Sequence, residues 1–332
     1  MLDVLIIGGG PAGLAAAIAA KTRGLSYLVL EKGALVNSLL HYPTDMVFFT
    51  TPELLEIGGL PFVSPNEKPT RKEALRYYRR VADTFAIDIA FDEPVTGLRR
   101  AADGVFRVTS QPKHGESVLR QSRYVVVATG AYDVVNRLDV AGEDLPHVSH
   151  YYDGPHAFYR RRVVIVGGKN SAAEAALDLY RNGATAVLVH RGTTMGESIK
   201  YWVKPDIENR IKEGSIAARF STRVVEITPT HVIVDGPDGR AEEPADGVLL
   251  MTGYRSDTTL LRTAGAEIDA TLGAPFHNPD TFETSVPNLF VIGACVAGSQ
   301  SGRIFIENGR FHGEVAIRTI AARLEGAPEP TV

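Results

Sequence analysis

The sequence holds a single cysteine, Cys295, among 332 residues. That excludes an internal disulfide framework, and it excludes a redox-active dithiol within one chain. A lone thiol suits a reducing compartment, so the expected setting is cytoplasmic. No apolar run reaches the roughly 18–20 residues needed to cross a bilayer, and no membrane association is expected. The apolar start, Leu2 to Ile7, carries Asp3, shows no basic flank and runs straight into glycines. It reads as a buried strand and not as a signal peptide. Charge of one sign is also scarce: the net charge is −4, which gives no basis for bulk nucleic-acid binding or a basic membrane patch. The nine histidines form no zinc pattern with cysteine. His147, His150 and His156 are close in sequence, a grouping that loop histidines explain without a metal.

What is present is a repeat. The run Asp3–Ile7 is continuously apolar, as in a strand buried on both faces. Gly8–Gly13 (GGGPAG) follows, then an Ala-rich helix to about Arg23, stopped by Gly24. Residues 26–30 are the next strand, with Glu31 at its end. The same order recurs: a strand at 161–166, the turn GGKNSA at 167–172, a helix over 171–182 ended by Gly183, and a strand at 185–190 followed by Arg191. Gly8, Gly13, Gly24 and Glu31 match Gly167, Ala172, Gly183 and His190 at one constant interval. The length suits two domains. The fold class is therefore α/β, with two Rossmann-like dinucleotide-binding domains. Between the repeats, residues 44–70 read as irregular. Residues 70–85 read as an amphipathic helix capped by Thr70 with Glu73. Residues 95–130 and 223–250 alternate like antiparallel strands, and a last helix is expected from about Ile304 to Leu324.

The two glycine-rich turns differ in an informative way. In the first, Gly8 permits the tight turn, Gly10 lets backbone approach a pyrophosphate, and Gly13 lets the helix pack on the strand. The helix N-terminus at Pro11 and Ala12 offers free N–H groups to phosphate. Glu31 can accept hydrogen bonds from both adenosine ribose hydroxyls. In the second, Lys169 replaces the middle glycine and Ala172 the third, with Gly168, Asn170 and Ser171 completing the turn. The strand-end carboxylate is replaced by His190–Arg191. A carboxylate repels a 2′-phosphate, whereas a guanidinium binds one. The expectation is FAD in the first unit and NADPH in the second, with hydride passing from nicotinamide to flavin.

The motifs GGGPAG, ATG at 128–130, the second GG-x-x-S-A turn and TSVPNLFVIGA at 284–294 resemble the two-dinucleotide-binding flavoproteins of the low-molecular-weight thioredoxin reductase type. The resemblance spans nearly the whole chain. It implies an FAD domain in two pieces, 1–134 and 251–332, with an NADPH domain, 135–250, between them. It also implies a homo-oligomer, dimer or tetramer. Two departures stand out. Ser149 and Tyr152 fall where that family carries its C-x-x-C, and the family's G-D pair is Gly293–Ala294 here. Within the group lacking the dithiol, the stretches EKG (31–33), HYPTDMVFF (41–49), IGGLPF (57–62), GGKNSAAEAAL (167–177) and IFIENGRFHG (304–313) are similar to bacillithiol disulfide reductases, the bacilliredoxin reductase group. That resemblance implies NADPH-dependent reduction of a small-molecule disulfide, bacillithiol disulfide, with a bacilliredoxin as a further partner. Relatives carry cysteine where this chain has Ala12, so a thiol mechanism at that site is excluded.

By the same resemblance, Lys32, Ser38, His41, Gly130, Gly293, Ala294, Ile304 and Phe305 join the flavin side. Cys295 is the one candidate thiol, against its reading as a small buried hydrophobe. His150 and His156 lie in the region of the missing dithiol and are candidate acids for a thiolate product. Arg303, Arg310, Lys200 and Lys204 are candidates for binding substrate carboxylates, against their reading as solvated surface charges. Two alternatives remain open: a reductase for ferredoxin or flavodoxin, and a flavin-based redox sensor. A flavin monooxygenase is disfavoured, because the spacing of the histidine after Gly154 does not fit that class.

Overall fold

The computed structural model describes residues 1–326. Each apolar run becomes a buried strand and each glycine punctuates it. The first βαβ unit is β1 (Leu2–Ile7), α1 (Pro11–Thr22) and β2 (Tyr27–Leu30). A short α2 (Asn37–Leu40) and the long α3 (Arg71–Thr84) follow. Next come β3 (Ile89–Ala90), β4 (Val95–Arg100), β5 (Phe106–Ser110) and β6 (Val118–Val127). The two-residue strands β7 (Val134–Val135) and β8 (Val148–Ser149) precede the second unit, β9 (Arg162–Val166), α4 (Asn170–Arg181) and β10 (Thr185–Val189). Beyond it lie α5 (Lys204–Lys212), β11 (Ala217–Arg219), β12 (Arg223–Ile227), β13 (His231–Gly236), β14 (Gly239–Pro244) and β15 (Gly247–Leu250). Then come β16 (Tyr254–Arg255), α6 (Thr259–Thr263), β17 (Leu289–Val291), α7 (Ile306–Gly309) and α8 (His312–Glu325).

The chain divides into two compact units. One comprises residues 1–40, 50–134 and those from Tyr254 onward; the other comprises 41–49 and 135–253. In the first, the sheet runs β3-β2-β1-β6-β5-β4, with β17 also pairing β6. Strands β3, β2, β1, β6 and β17 are parallel, whereas β4 and β5 are antiparallel additions. One face of this sheet packs on α1 and α8 through Ala16, Ala17, Ala20, Ala316, Ile317 and Ile320. The small residues of α1 allow close approach, and at Gly313 a Cβ would overlap the backbone of Ala16. In the second unit, the sheet β11-β10-β9-β15-β8 is parallel throughout. Helix α4 covers one of its faces, and the antiparallel β12-β13-β14 meander packs with the other core cluster.

The α/β class with two Rossmann-like units is what the repeat predicts. Helix α3 carries the expected capping box: Thr70 Oγ1 accepts the Glu73 N–H at 3.3 Å, and Glu73 Oε2 accepts the Thr70 N–H at 2.8 Å. The expected last helix is not continuous. It breaks between α7 and α8, where the Phe311 N–H turns to Asn308 O at 3.4 Å, and Arg310 at the break donates to the carbonyls of Glu53 and Glu56, both at 2.7 Å. Gly309 meanwhile packs close against Gly293.

Candidate functional site

The first glycine-rich turn joins the end of β1 to α1. Gly8 has φ +113°, and a Cβ there would overlap the carbonyl of Ala128. A Cβ at Gly13 would overlap the carbonyl oxygen of Gly8, so only glycine lets the helix sit this close to the strand. Gly10 is different: a Cβ there would meet nothing within 4 Å. Its missing side chain leaves open space directly beyond the first turn of α1. The N–H groups of that turn have no partner within the helix and carry the positive end of its dipole. Pro11 takes the first helical position, where its missing N–H costs nothing.

Glu31, at the end of β2, is 5% exposed. Its Oε2 accepts the Gly9 N–H at 2.7 Å, and its Oε1 accepts the Gly33 N–H at 2.9 Å. Burial raises its pKa against the pull of those two bonds. Each carboxylate oxygen keeps a further lone pair for a hydroxyl donor. Lys32 pairs with Asp133 at 2.7 Å. Ser38 on half-buried α2 lies beside Gly130, whose own Cβ position would be 4.0 Å from the serine oxygen. The residues that fit a dinucleotide are thus the open Gly10, the free helix end and the buried Glu31.

The second turn repeats this geometry. Gly167 again has positive φ, +152°, and Lys169 takes the extended helix-capping place that Gly10 holds in the first. Ala172 is buried beneath it. The His190 ring lies so close over Gly168 that any Cβ there would overlap it. Burial lowers the His190 pKa, and the neighbouring Arg191 lowers it further. Lys169, Ser171 and Arg191 are exposed. The Asn170 side chain is committed elsewhere: it donates to Ser198 O at 3.1 Å and accepts the Lys200 N–H at 2.9 Å. Together with the Gly196 N–H to Gly168 O at 2.7 Å, these bonds fold the 196–200 loop over the turn. Nothing in the spacing of the turn announces that loop.

Where the family pattern has two cysteines, this chain has structural pins. Ser149 Oγ donates to Tyr151 O at 2.8 Å. The buried Tyr152 hydroxyl donates to Asp178 Oδ2 on α4 at 2.6 Å, and burial drives its pKa upward. His150 Nε2 lies 3.1 Å from Oε1 of Glu143, a buried carboxylate that accepts the N–H groups of Leu138 and Asp139 at 2.9 and 2.7 Å. Burial lowers the His150 pKa, against the pull of that neighbouring carboxylate. His156 faces solvent on a short helical turn, and His41 is exposed in the 41–49 segment that groups with the second unit.

The candidate thiol sits where a small buried hydrophobe would, the alternative that the sequence also carries. Cys295 is 0% exposed, and its thiol approaches Ile292 O at 2.9 Å and Val127 O at 3.4 Å. Burial pushes its pKa up to about 11. A thiolate nucleophile needs the opposite environment, electropositive and partly exposed. The carboxylate-binding candidates are similarly engaged: Arg310 binds two carbonyls, Lys200 pairs with Glu174, and Lys204 lies 3.9 Å from Glu208. Arg303 and Phe305 are exposed, with Ile304 half-buried between them. Asn308 Oδ1 accepts the Phe305 N–H at 2.8 Å. Among the described residues no group of three His, Cys, Asp or Glu is placed to hold a metal, and no helix is long and apolar enough to cross a membrane.

The family model described as pyridine nucleotide-disulphide oxidoreductase matches residues 5–293. The chain belongs to that family. Its members use a flavin and a pyridine nucleotide, so this protein is an oxidoreductase with two nucleotide sites to fill. It is 41% identical to bacilliredoxin reductase Bdr of Bacillus subtilis (strain 168) over 321 residues, covering 96% of this chain and 97% of the relative. It is also similar to the solved bacillithiol disulfide reductase Bdr of Bacillus cereus, at 40% identity and a TM-score of 0.95, covering 97% and 99% of the two chains. The thioredoxin reductase of T. acidophilum, at 20% identity and a TM-score of 0.74 over 98% and 99%, shares the fold. The chain is thus a homologue of the bacilliredoxin and bacillithiol disulfide reductases, with one cysteine and no C-x-x-C.

Proposed function

We propose that this protein is an NADPH-dependent FAD enzyme that reduces bacillithiol disulfide, or the mixed disulfide of bacillithiol with a bacilliredoxin. The observation that carries the reading is the difference between two otherwise matching turns. The first ends on a buried carboxylate, Glu31, and the second on an exposed Arg191 beside His190. Glu31 suits an unphosphorylated ribose and so FAD; Arg191 suits a 2′-phosphate and so NADPH. When bound, the two cofactors supply hydride transfer and a two-electron store. The chain's own part is to hold and orient them. The α1 N-terminus and the open Gly10 receive one pyrophosphate, with Gly130, Gly293 and Ala294 beside that cradle. The α4 N-terminus, Gly168 and Lys169 receive the other.

The overall balance is one disulfide, one NADPH and one proton giving two thiols and NADP⁺. With Cys295 buried and Ala12 in the first turn, no thiol of this chain takes part. The resemblance to a bacilliredoxin reductase supports a bacilliredoxin as partner, and reductive chemistry supports a cytoplasmic setting. The test is anaerobic reduction of the purified protein with NADPH, followed by rapid mixing with bacillithiol disulfide, with bacillithiolated bacilliredoxin and with oxidised ferredoxin. Fast flavin reoxidation by either of the first two is expected. Reoxidation by ferredoxin alone would replace this reading with electron-carrier reduction.

A further inference from the structure

The turn after β17 is held from an unexpected direction. Gly293 adopts φ +71°, and a Cβ there would lie 2.8 Å from the Cβ of Ala12 in the first turn of α1. Its other side is closed by α7, where a Cβ on Gly309 would lie 3.4 Å from the Gly293 Cα. The backbone at 293 is therefore wedged against the helix end that frames the first cradle. Its N–H donates to His312 Nδ1 at 3.2 Å, a side chain from the start of α8.

The His312 ring is itself fixed. It stacks on Phe282 with centroids 4.1 Å apart and planes 19° apart, and Phe282 packs against both cores of this unit. Phe282 also stacks with His277, at 5.9 Å. To accept from Gly293, Nδ1 must carry a lone pair, so the ring must be neutral with its proton on Nε2. Burial, and then the nearby His277, bring the His312 pKa down to about 4, which keeps that lone pair available at neutral pH. A buried N–H left without its acceptor is costly, so the bond holds the turn firmly.

We infer that His312 is a positioning residue: its Nδ1 fixes the Gly293–Ala294 turn against Ala12 and so sets how tightly the first cradle retains its dinucleotide. The inference rests on the assignment of FAD to that cradle. His312 acts through the backbone of Gly293.

Two substitutions separate the bond from the stack. His312→Phe keeps an aromatic ring on Phe282 but has no acceptor. His312→Asn places an amide oxygen near the Nδ1 position. The holoprotein of each variant is diluted, and released FAD is followed by its fluorescence, with the visible band of the bound flavin recorded alongside. The expected result for His312→Phe is a native far-UV spectrum, an altered flavin band and FAD release raised about 5–10-fold, the effect of one lost hydrogen bond. His312→Asn is expected to restore retention to within about 2-fold of the parent, since it restores the acceptor. Should the Phe variant not fold, His312→Leu against His312→Asn carries the same contrast. Retention and spectrum unchanged in the Phe variant, or equal loss in both variants, would overturn the inference while leaving the FAD assignment standing. A parent protein that retains no FAD at all would overturn the assignment itself, and this inference with it.

Discussion

Glu31 Oε2 accepts the Gly9 N–H at 2.7 Å, and this bond ties the end of β2 to the first glycine-rich turn. Two sequence features 22 residues apart thus become one rigid unit. The carboxylate is oriented by backbone before any ribose arrives, and orientation of this kind reduces the ordering cost of binding. Burial, against the pull of that bond, makes Glu31 sensitive to protonation. Burial raises its pKa, so the native state holds a proton at a pH where the unfolded chain has released it. For the apoprotein, this group's contribution to stability therefore falls as pH rises from the unfolded to the folded pKa. Flavin retention has the opposite sign, because a protonated carboxyl accepts ribose hydroxyls poorly. On acidification, FAD is expected to be released earlier than an ordinary glutamate would predict. Glu31→Gln should weaken FAD binding about 10-fold or more and flatten that pH dependence. Free-flavin fluorescence from neutral to mildly acidic pH checks both.

Gly10 and Gly13 of the first turn should fail in different ways. A Cβ at Gly10 would meet nothing within 4 Å, so for Gly10→Val apoprotein stability should stay within about 0.5 kcal/mol while FAD is lost. Gly13→Ala forces a Cβ into the Gly8 carbonyl and should cost about 3 kcal/mol whether or not FAD is present. Denaturant melts paired with flavin content separate the two. Equal loss of stability in both variants would contradict the open cradle at Gly10.

In the proposed NADPH site, exposed Arg191 is the side chain assigned to the 2′-phosphate. Arg191→Ala should lower kcat/KM for NADPH about 10–100-fold, as expected for a lost charged phosphate contact, and change NADH turnover far less. Steady-state kinetics with both nucleotides decide it; equal losses would remove the assignment of the 2′-phosphate to this side chain.

Tyr152 occupies a position where related enzymes carry a redox cysteine, yet it is tied to Asp178 at 2.6 Å. Its role is mechanical. Tyr152→Phe should destabilise the protein by about 1–2 kcal/mol, the loss of one buried bond to a charged group. Disulfide-dependent NADPH oxidation should remain within a few-fold. A variant that folds normally but cannot turn over would place the hydroxyl in the chemistry.

The parts of the molecule that were legible in sequence are those set by local pattern. Continuous apolar runs gave β1, β9 and β10, and Gly8 with Gly167 marked the two turns because only positive φ suits them. Thr70 and Glu73 announced α3 for the same local reason. What stayed hidden depends on partners far apart in the chain. Asp178 for Tyr152, Glu143 for His150 and His312 for Gly293 have no spacing signature, since tertiary packing brings them together. The break before α8 has no spacing signature either. Cys295 looked available only because sequence position near the flavin segment carries no information about burial.

On the proposed reading, electrons leave this chain for a disulfide without passing through any thiol of its own. Cys295→Ala removes the only cysteine. The measurement is stopped-flow reoxidation of the NADPH-reduced variant by bacillithiol disulfide, with and without bacilliredoxin. A rate within about 2-fold of the parent is expected, since removing a buried core thiol perturbs packing and not chemistry. A folded, FAD-replete variant whose flavin stays reduced while the parent's is reoxidised would contradict it.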